Sequence, residues 1–153
     1  MKVRTLNRKP LITAGVVMGV GLGGFVDGIL FHQLLQIHSM LSAKYPPVTV
    51  ANLEINMFWD GLFHTLTWSM TVIGVILLWR AGKKADVPWS GKMFTGANFM
   101  GWGLFNLCEG IINHHILHVH HVVERQGVSL YDYVFLGSGI VFVILGWMLV
   151  RNA

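Results

Sequence analysis

The chain has 153 residues, of which 54% are hydrophobic and only 12% charged, with a mean hydropathy of +0.58. A soluble domain carries about 25% charged residues, so the composition is that of a membrane protein, and a single cysteine excludes a disulfide framework and any multi-cysteine zinc site. The net charge of +4 is not a nucleic-acid footprint, because the cations fall in loops and tails instead of on one face.

At the N-terminus, Lys2, Arg4, Arg8 and Lys9 precede an apolar run. This start is similar to a signal peptide, but the run continues without a small-residue cleavage site, which predicts a retained first transmembrane helix. Hydropathy predicts four spans in a single membrane domain covering 1–153, at about 11–41, 53–80, 92–122 and 131–150. The first span carries Gly15-xxx-Gly19-xxx-Gly23 and Gly24-xxx-Gly28, a spacing that lets a neighbouring helix backbone approach closely and favours packing within the bundle over self-dimerisation.

Lys44-Tyr45-Pro46-Pro47 ends the first span, Arg80 to Pro88 forms a short basic second connection, and Glu124-Arg125-Gln126-Gly127 forms the third. Connections this short make sequential helices antiparallel neighbours, which predicts an all-α integral membrane four-helix bundle. The fourth span is apolar apart from Asp132 and Ser138 and is expected to be scaffold.

Nine cations (Lys2, Arg4, Arg8, Lys9, Arg80, Lys83, Lys84, Lys92, Arg151) fall on one side of this topology and two, Lys44 and Arg125, on the other. The positive-inside rule then predicts both termini in the cytoplasm, in a multi-pass protein of the inner (plasma) membrane.

Three strings within the spans pair an acid with glycine and histidine: Asp27-Gly28-Ile29-Leu30-Phe31-His32, Asp60-Gly61-Leu62-Phe63-His64 and Glu109-Gly110-Ile111-Ile112-Asn113-His114. An ionisable side chain near the bilayer centre costs about 2.5–3.5 kcal/mol on insertion scales, so a chain that repeats it is expected to hold something polar between its helices. Counting helical rise from the outer ends puts His32, His64 and His114 roughly 13, 15 and 12 Å deep, with Asp27 and Glu109 roughly 20 Å and Asp60 roughly 10 Å. Asp60 and His64, four apart, share a helix face. Asp27–His32 and Glu109–His114, five apart, are offset by about 140° on a regular α-helix.

Imidazole and carboxylate suit zinc, copper or iron, and ligating histidines usually donate their second N–H to an acid or a carbonyl. The candidate metal ligands are His32, His64, His114, His118, Asp27, Asp60 and Glu109, at a site facing the extracytoplasmic side. Were the protein a metal-dependent oxidoreductase or hydrolase, Glu109 would be the general base. His120 and His121 fall near the interface, where hydration or head-group contact accounts for them. His38 and His115 receive no role, and Cys108 is expected to be a small buried hydrophobe.

The three strings, extended through Gln33-Leu34-Leu35-Gln36-Ile37-His38 and through His115-Ile116-Leu117-His118-Val119-His120-His121, resemble a prokaryotic family of predicted four-span membrane proteins classed as a domain of unknown function. The resemblance covers nearly the whole chain and implies fold and membrane location.

The residues themselves point first to a membrane metal-binding protein, for metal handling or for metal-dependent redox or hydrolytic chemistry. A proton or ion relay, or a small transporter, would use the same buried polar cluster, and a bis-histidine haem protein is a second alternative. Expected partners are the lipid bilayer and a second copy of the chain or a membrane redox partner, with no nucleic acid.

Overall fold

The computed structural model describes residues 6–153; Lys2 and Arg4 of the basic N-terminal segment lie outside them. The architecture is all-helical: α1 (Lys9–Val26), α2 (Val50–Gly82), α3 (Gly91–Glu109) and α4 (Leu130–Arg151), with a 3₁₀ turn at Glu124–Gln126. Each helix start is legible in its chemistry. Pro10 opens α1, and the Thr49 and Ser90 hydroxyls accept from the N–H groups of Asn52 and Met93 at 3.2 Å. A reciprocal capping box joins Ser129 to Asp132 at the start of α4.

Three helical stretches, Lys9–Leu34, Val50–Gly82 and Leu130–Arg151, are long and apolar enough to cross a membrane. The third expected span differs. Helix α3 is enclosed between α1 and α4, so packing takes the place of lipid and its sequence tolerates Asn98, Asn106 and several glycines.

Helices α1 and α3 run side by side at the centre, with α2 packed on α1 and α4 on α3. Glycines make the close approach possible. A Cβ at Gly19 would overlap the Asn98 backbone, and one at Gly101 would overlap the Val16 carbonyl. The glycine stripe of α1 therefore packs within the bundle, as the spacing suggested.

The two hairpins repeat one another. Residues of the first helix match those 82 positions later (Asp27 with Glu109, His32 with His114, His38 with His120), and α2 matches α4 at an offset of 72 (Asp60 with Asp132, Phe63 with Phe135, Gly74 with Gly146). Contacts follow the same exchange. Gly74 meets Met18 as Gly146 meets Met100, and Gly28 meets Phe63 and His64 as Gly110 meets Phe135 and Leu136. The fold is thus a pseudo-two-fold pair of antiparallel hairpins. The start of α1 lies beside the C-terminal residues, where the Arg8 guanidinium donates to the carbonyls of Val150 and Ala153.

Neither central helix continues as far as hydropathy suggested. Past Val26 the first widens into a π-helix, Asp27–Leu34, and past Glu109 the third does the same over Gly110–Ile116. Each then breaks at a non-glycine residue in the left-handed region, Gln36 (φ 50°) and His118 (φ 47°), a conformation costing roughly 1–2 kcal/mol. The reversals are closed by matching backbone bonds, Ile37 N–H to Phe31 O at 3.1 Å and Val119 N–H to Asn113 O at 3.0 Å. The chain beyond each break folds back across the end of the bundle.

Candidate metal centre

The π-helices bring acid and histidine onto one face. On a regular α-helix, residues five apart diverge, but an i→i+5 turn stacks them. His32 Nε2 accordingly lies 3.3 Å from Asp27 Oδ2, and His114 Nε2 lies 3.1 Å from Glu109 Oε2. The returning chain adds a second imidazole to each repeat. His38 Nε2 sits 4.0 Å from Asp27 Oδ1, and His120 Nε2 sits 2.6 Å from Glu109 Oε1. Each carboxylate therefore offers one oxygen to each histidine of its own repeat.

The outer nitrogens of three of these four rings are hydrogen-bonded, and that of His114 faces a carboxylate. His38 Nδ1–H donates to the Val122 carbonyl and His120 Nδ1–H to the Met40 carbonyl, both at 3.0 Å. His32 Nδ1–H donates to Asp60 Oδ1 at 2.8 Å, and His114 Nδ1 lies 3.1 Å from Asp132 Oδ1. Those two aspartates are fixed in turn by the Met40 N–H at 2.8 Å and the Val122 N–H at 3.1 Å. A carbonyl can only accept, so Nδ1 of His38 and of His120 carries a proton, which leaves Nε2 of His38 as its basic nitrogen. His120 Nε2 shares a further proton with Glu109 Oε1 across 2.6 Å, one that a bound ion would displace.

Four Nε2 atoms and two carboxylates thus converge on one interior volume. The His32, His38 and His120 side chains are fully buried, and His114 is 1% exposed. Among the described residues, Nε2 of His32, His38 and His114, together with Asp27 Oδ2 and Glu109 Oε2, have no hydrogen-bond partner. Orphaned polar atoms buried this deeply are costly, and their convergence is the pattern of a ligand cage. The ligand atoms of His32, His38 and His120 lie within 4.8 Å of one another, as do those of Glu109, His114 and His120.

Several expected site residues lie elsewhere. Asp60 joins the cluster behind His32, as a hydrogen-bond acceptor. His64 stands apart, in an open groove between α1 and α2 lined by Phe25, Gln33, Met57, Trp68 and Asp60, so the face it shares with Asp60 opens outward at His64. His118 is exposed on the reversal itself. His115 donates Nδ1–H to the Gly110 carbonyl and rests on Tyr133. Cys108 is exposed where a buried position was expected.

Conversely, the fully buried Asp132 belongs to the cluster and not to bare scaffold, and His38 and His120 occupy its centre, their rings stacked 4.7 Å apart at 7°. The readable signal was the shared pattern acid-Gly-x-x-x-His-x-x-x-x-x-His, present from Asp27 and again from Glu109.

Two clefts reach the cluster from the sides and are related by the same exchange. One, of about 140 Å³, runs past Phe31, Trp102 and Phe135 to Asp27; the other, of about 260 Å³, runs past Phe63 and Phe105 to Glu109.

No curated protein and no solved structure matches the chain. A family model described as "Predicted membrane protein (DUF2243)" matches residues 14–153, and it is to this family of predicted membrane proteins that the chain belongs.

Proposed function

We propose that this protein is a membrane metalloprotein that holds a transition metal in its bundle, between His32, His38, His114 and His120, with Asp27 and Glu109 completing the set. The observation that carries this reading is the convergence of four Nε2 atoms, three of them on rings whose Nδ1 bonds a carbonyl or carboxylate and the fourth on a ring whose Nδ1 faces Asp132, the arrangement that orients ligating histidines. Nitrogen-rich ligation with two carboxylates suits copper, iron or zinc.

The clefts leading to the carboxylates are walled by aromatic side chains. Such walls keep bulk water out, which favours electron transfer, or reaction with a small apolar molecule, over hydrolysis. In a redox role Glu109, hydrogen-bonded to His120 at 2.6 Å and to Asn113 at 3.3 Å, is the group to hold or pass a proton.

The charge pattern supports an orientation with both termini in the cytoplasm and the centre toward the extracytoplasmic side of the plasma membrane. Arg8, Lys9, Arg80, Lys83, Lys84, Lys92 and Arg151 gather at the end away from the centre.

Elemental analysis of detergent-purified protein tests the metal directly. Near-stoichiometric copper, iron or zinc is expected, falling at least tenfold in a His38→Ala/His120→Ala variant that keeps its helical circular dichroism. A second reading, a proton pathway through the same histidines, is what folded protein unable to take up any of these metals would favour.

A further inference from the structure

Resting on the metal-binding reading above, we propose that the centre is dinuclear, with one divalent ion to each repeat and not a single ion on the pseudo-two-fold axis. Three independent observations carry this.

The first is the duplication of the donor set. Asp27, His32 and His38 recur as Glu109, His114 and His120, and each carboxylate spreads its two oxygens over the two imidazoles of its own repeat. One ion cannot use both halves fully. It would leave one acid–imidazole pair, Asp27 with His32 or Glu109 with His114, buried and unligated, without a well-formed hydrogen bond between its facing atoms. Paired metals in helical bundles draw on duplicated acid and histidine sets of this kind.

The second is spacing. The group of His32, His38 and His120 and the group of Glu109, His114 and His120 each close to within 4.8 Å, and they meet at His120. The single lone pair of His120 Nε2 can serve only one ion; given to Glu109 and His114, it leaves His32 and His38, with Asp27 beside them, for a second ion position.

The third is charge. Asp27, Asp60, Glu109 and Asp132 are all buried, and among the described residues they pair only with histidines, never with Lys or Arg. Buried carboxylates are costly unless paired with positive charge or protonated. Two divalent ions balance all four with every imidazole neutral, whereas one ion needs two further protons on the histidines or acids.

The test is a titration of chelator-stripped protein in detergent with Zn²⁺ by equilibrium dialysis and elemental analysis, and with Cu²⁺ by electron paramagnetic resonance. Saturation at two equivalents per chain, with a dipole-broadened Cu²⁺ signal at two equivalents, is expected. Asp60→Asn and Asp132→Asn should each weaken one equivalent about 10–100-fold and leave the other nearly unchanged. Saturation at one equivalent, with a simple isolated Cu²⁺ spectrum, would overturn the dinuclear arrangement while leaving the metal centre intact. Failure to bind either ion would remove both. The wild-type stoichiometry decides the matter even where a variant does not fold.

Discussion

His38 and His120 each hydrogen-bond the backbone of the opposite repeat: the Nδ1–H of His38 donates to the carbonyl of Val122, the Nδ1–H of His120 to that of Met40, each at 3.0 Å. Met40 and Val122 are themselves counterparts at the 82-residue offset, so the two reversals clasp each other over the centre. The clasp fixes both rings, turns both Nε2 atoms inward and joins the two hairpins at the end of the bundle remote from the chain termini.

The clasp separates the proposed ligands from the histidines outside the cage. His38→Ala or His120→Ala is expected to weaken metal affinity about a hundredfold. His64→Ala and His118→Ala, which change side chains outside the cage, should hold metal within about twofold of the parent. Equilibrium dialysis against a competing chelator measures all four, and a His64→Ala loss as large as that of His38→Ala would put the centre in the wrong place.

Acid should release the metal. Imidazole and carboxylate ligate only in their deprotonated forms, so protons compete with the ion and binding expels them. Lowering the pH from about 7.5 to about 5.5 is expected to weaken apparent affinity at least tenfold, and metal added to stripped protein in weak buffer should acidify the solution. Binding that stays constant over this range would exclude the four histidines as ligands.

Metal and fold should be linked. An ion that binds only the native state stabilises it by RT ln(1 + [L]/Kd), about 2.7 kcal/mol at a hundredfold excess over Kd. Stripping the protein with chelator is therefore expected to lower its thermal midpoint in detergent, and restoring the ion to raise it. Coincident melting curves with and without metal would contradict a native-state site.

The central helix crossing is expected to tolerate no side chain. Gly19→Leu and Gly101→Leu each drive a side chain into backbone of the facing helix. Backbone cannot step aside as a flexible side chain can, so each should destabilise by about 3 kcal/mol or more, the upper end of overpacking costs. Gly61 meets nothing within 4 Å on the exposed face of α2, so Gly61→Ala should be neutral or stabilise by up to about 1 kcal/mol. Thermal unfolding of the three variants measures the contrast.

Much of this was legible in the chain. Hydropathy and short loops gave four helices in antiparallel succession, and acids beside histidines marked the end of the bundle where the candidate site lies. What escaped was set by backbone geometry. Asp27–His32 and Asp60–His64 look like one motif, yet spacings of five and four fall on different helix faces, and only the π-turn makes five the inward spacing. His38 and His120 lie beyond helix breaks at Gln36 and His118, residues that carry no ordinary left-handed signal such as glycine. Asp132, at the start of an apolar helix, was expected to be scaffold. Its Oδ2 completes the capping box with Ser129, while Oδ1 faces His114.

Anomalous diffraction from crystals of the metal-loaded protein, collected on either side of the absorption edge of the bound element, tests the central claim most directly. The account predicts strong anomalous density between the Nε2 atoms of His32, His38, His114 and His120 and the carboxylates of Asp27 and Glu109. Anomalous density confined to His64, His118 or the protein surface, with the six interior groups bonded only to one another, would contradict it.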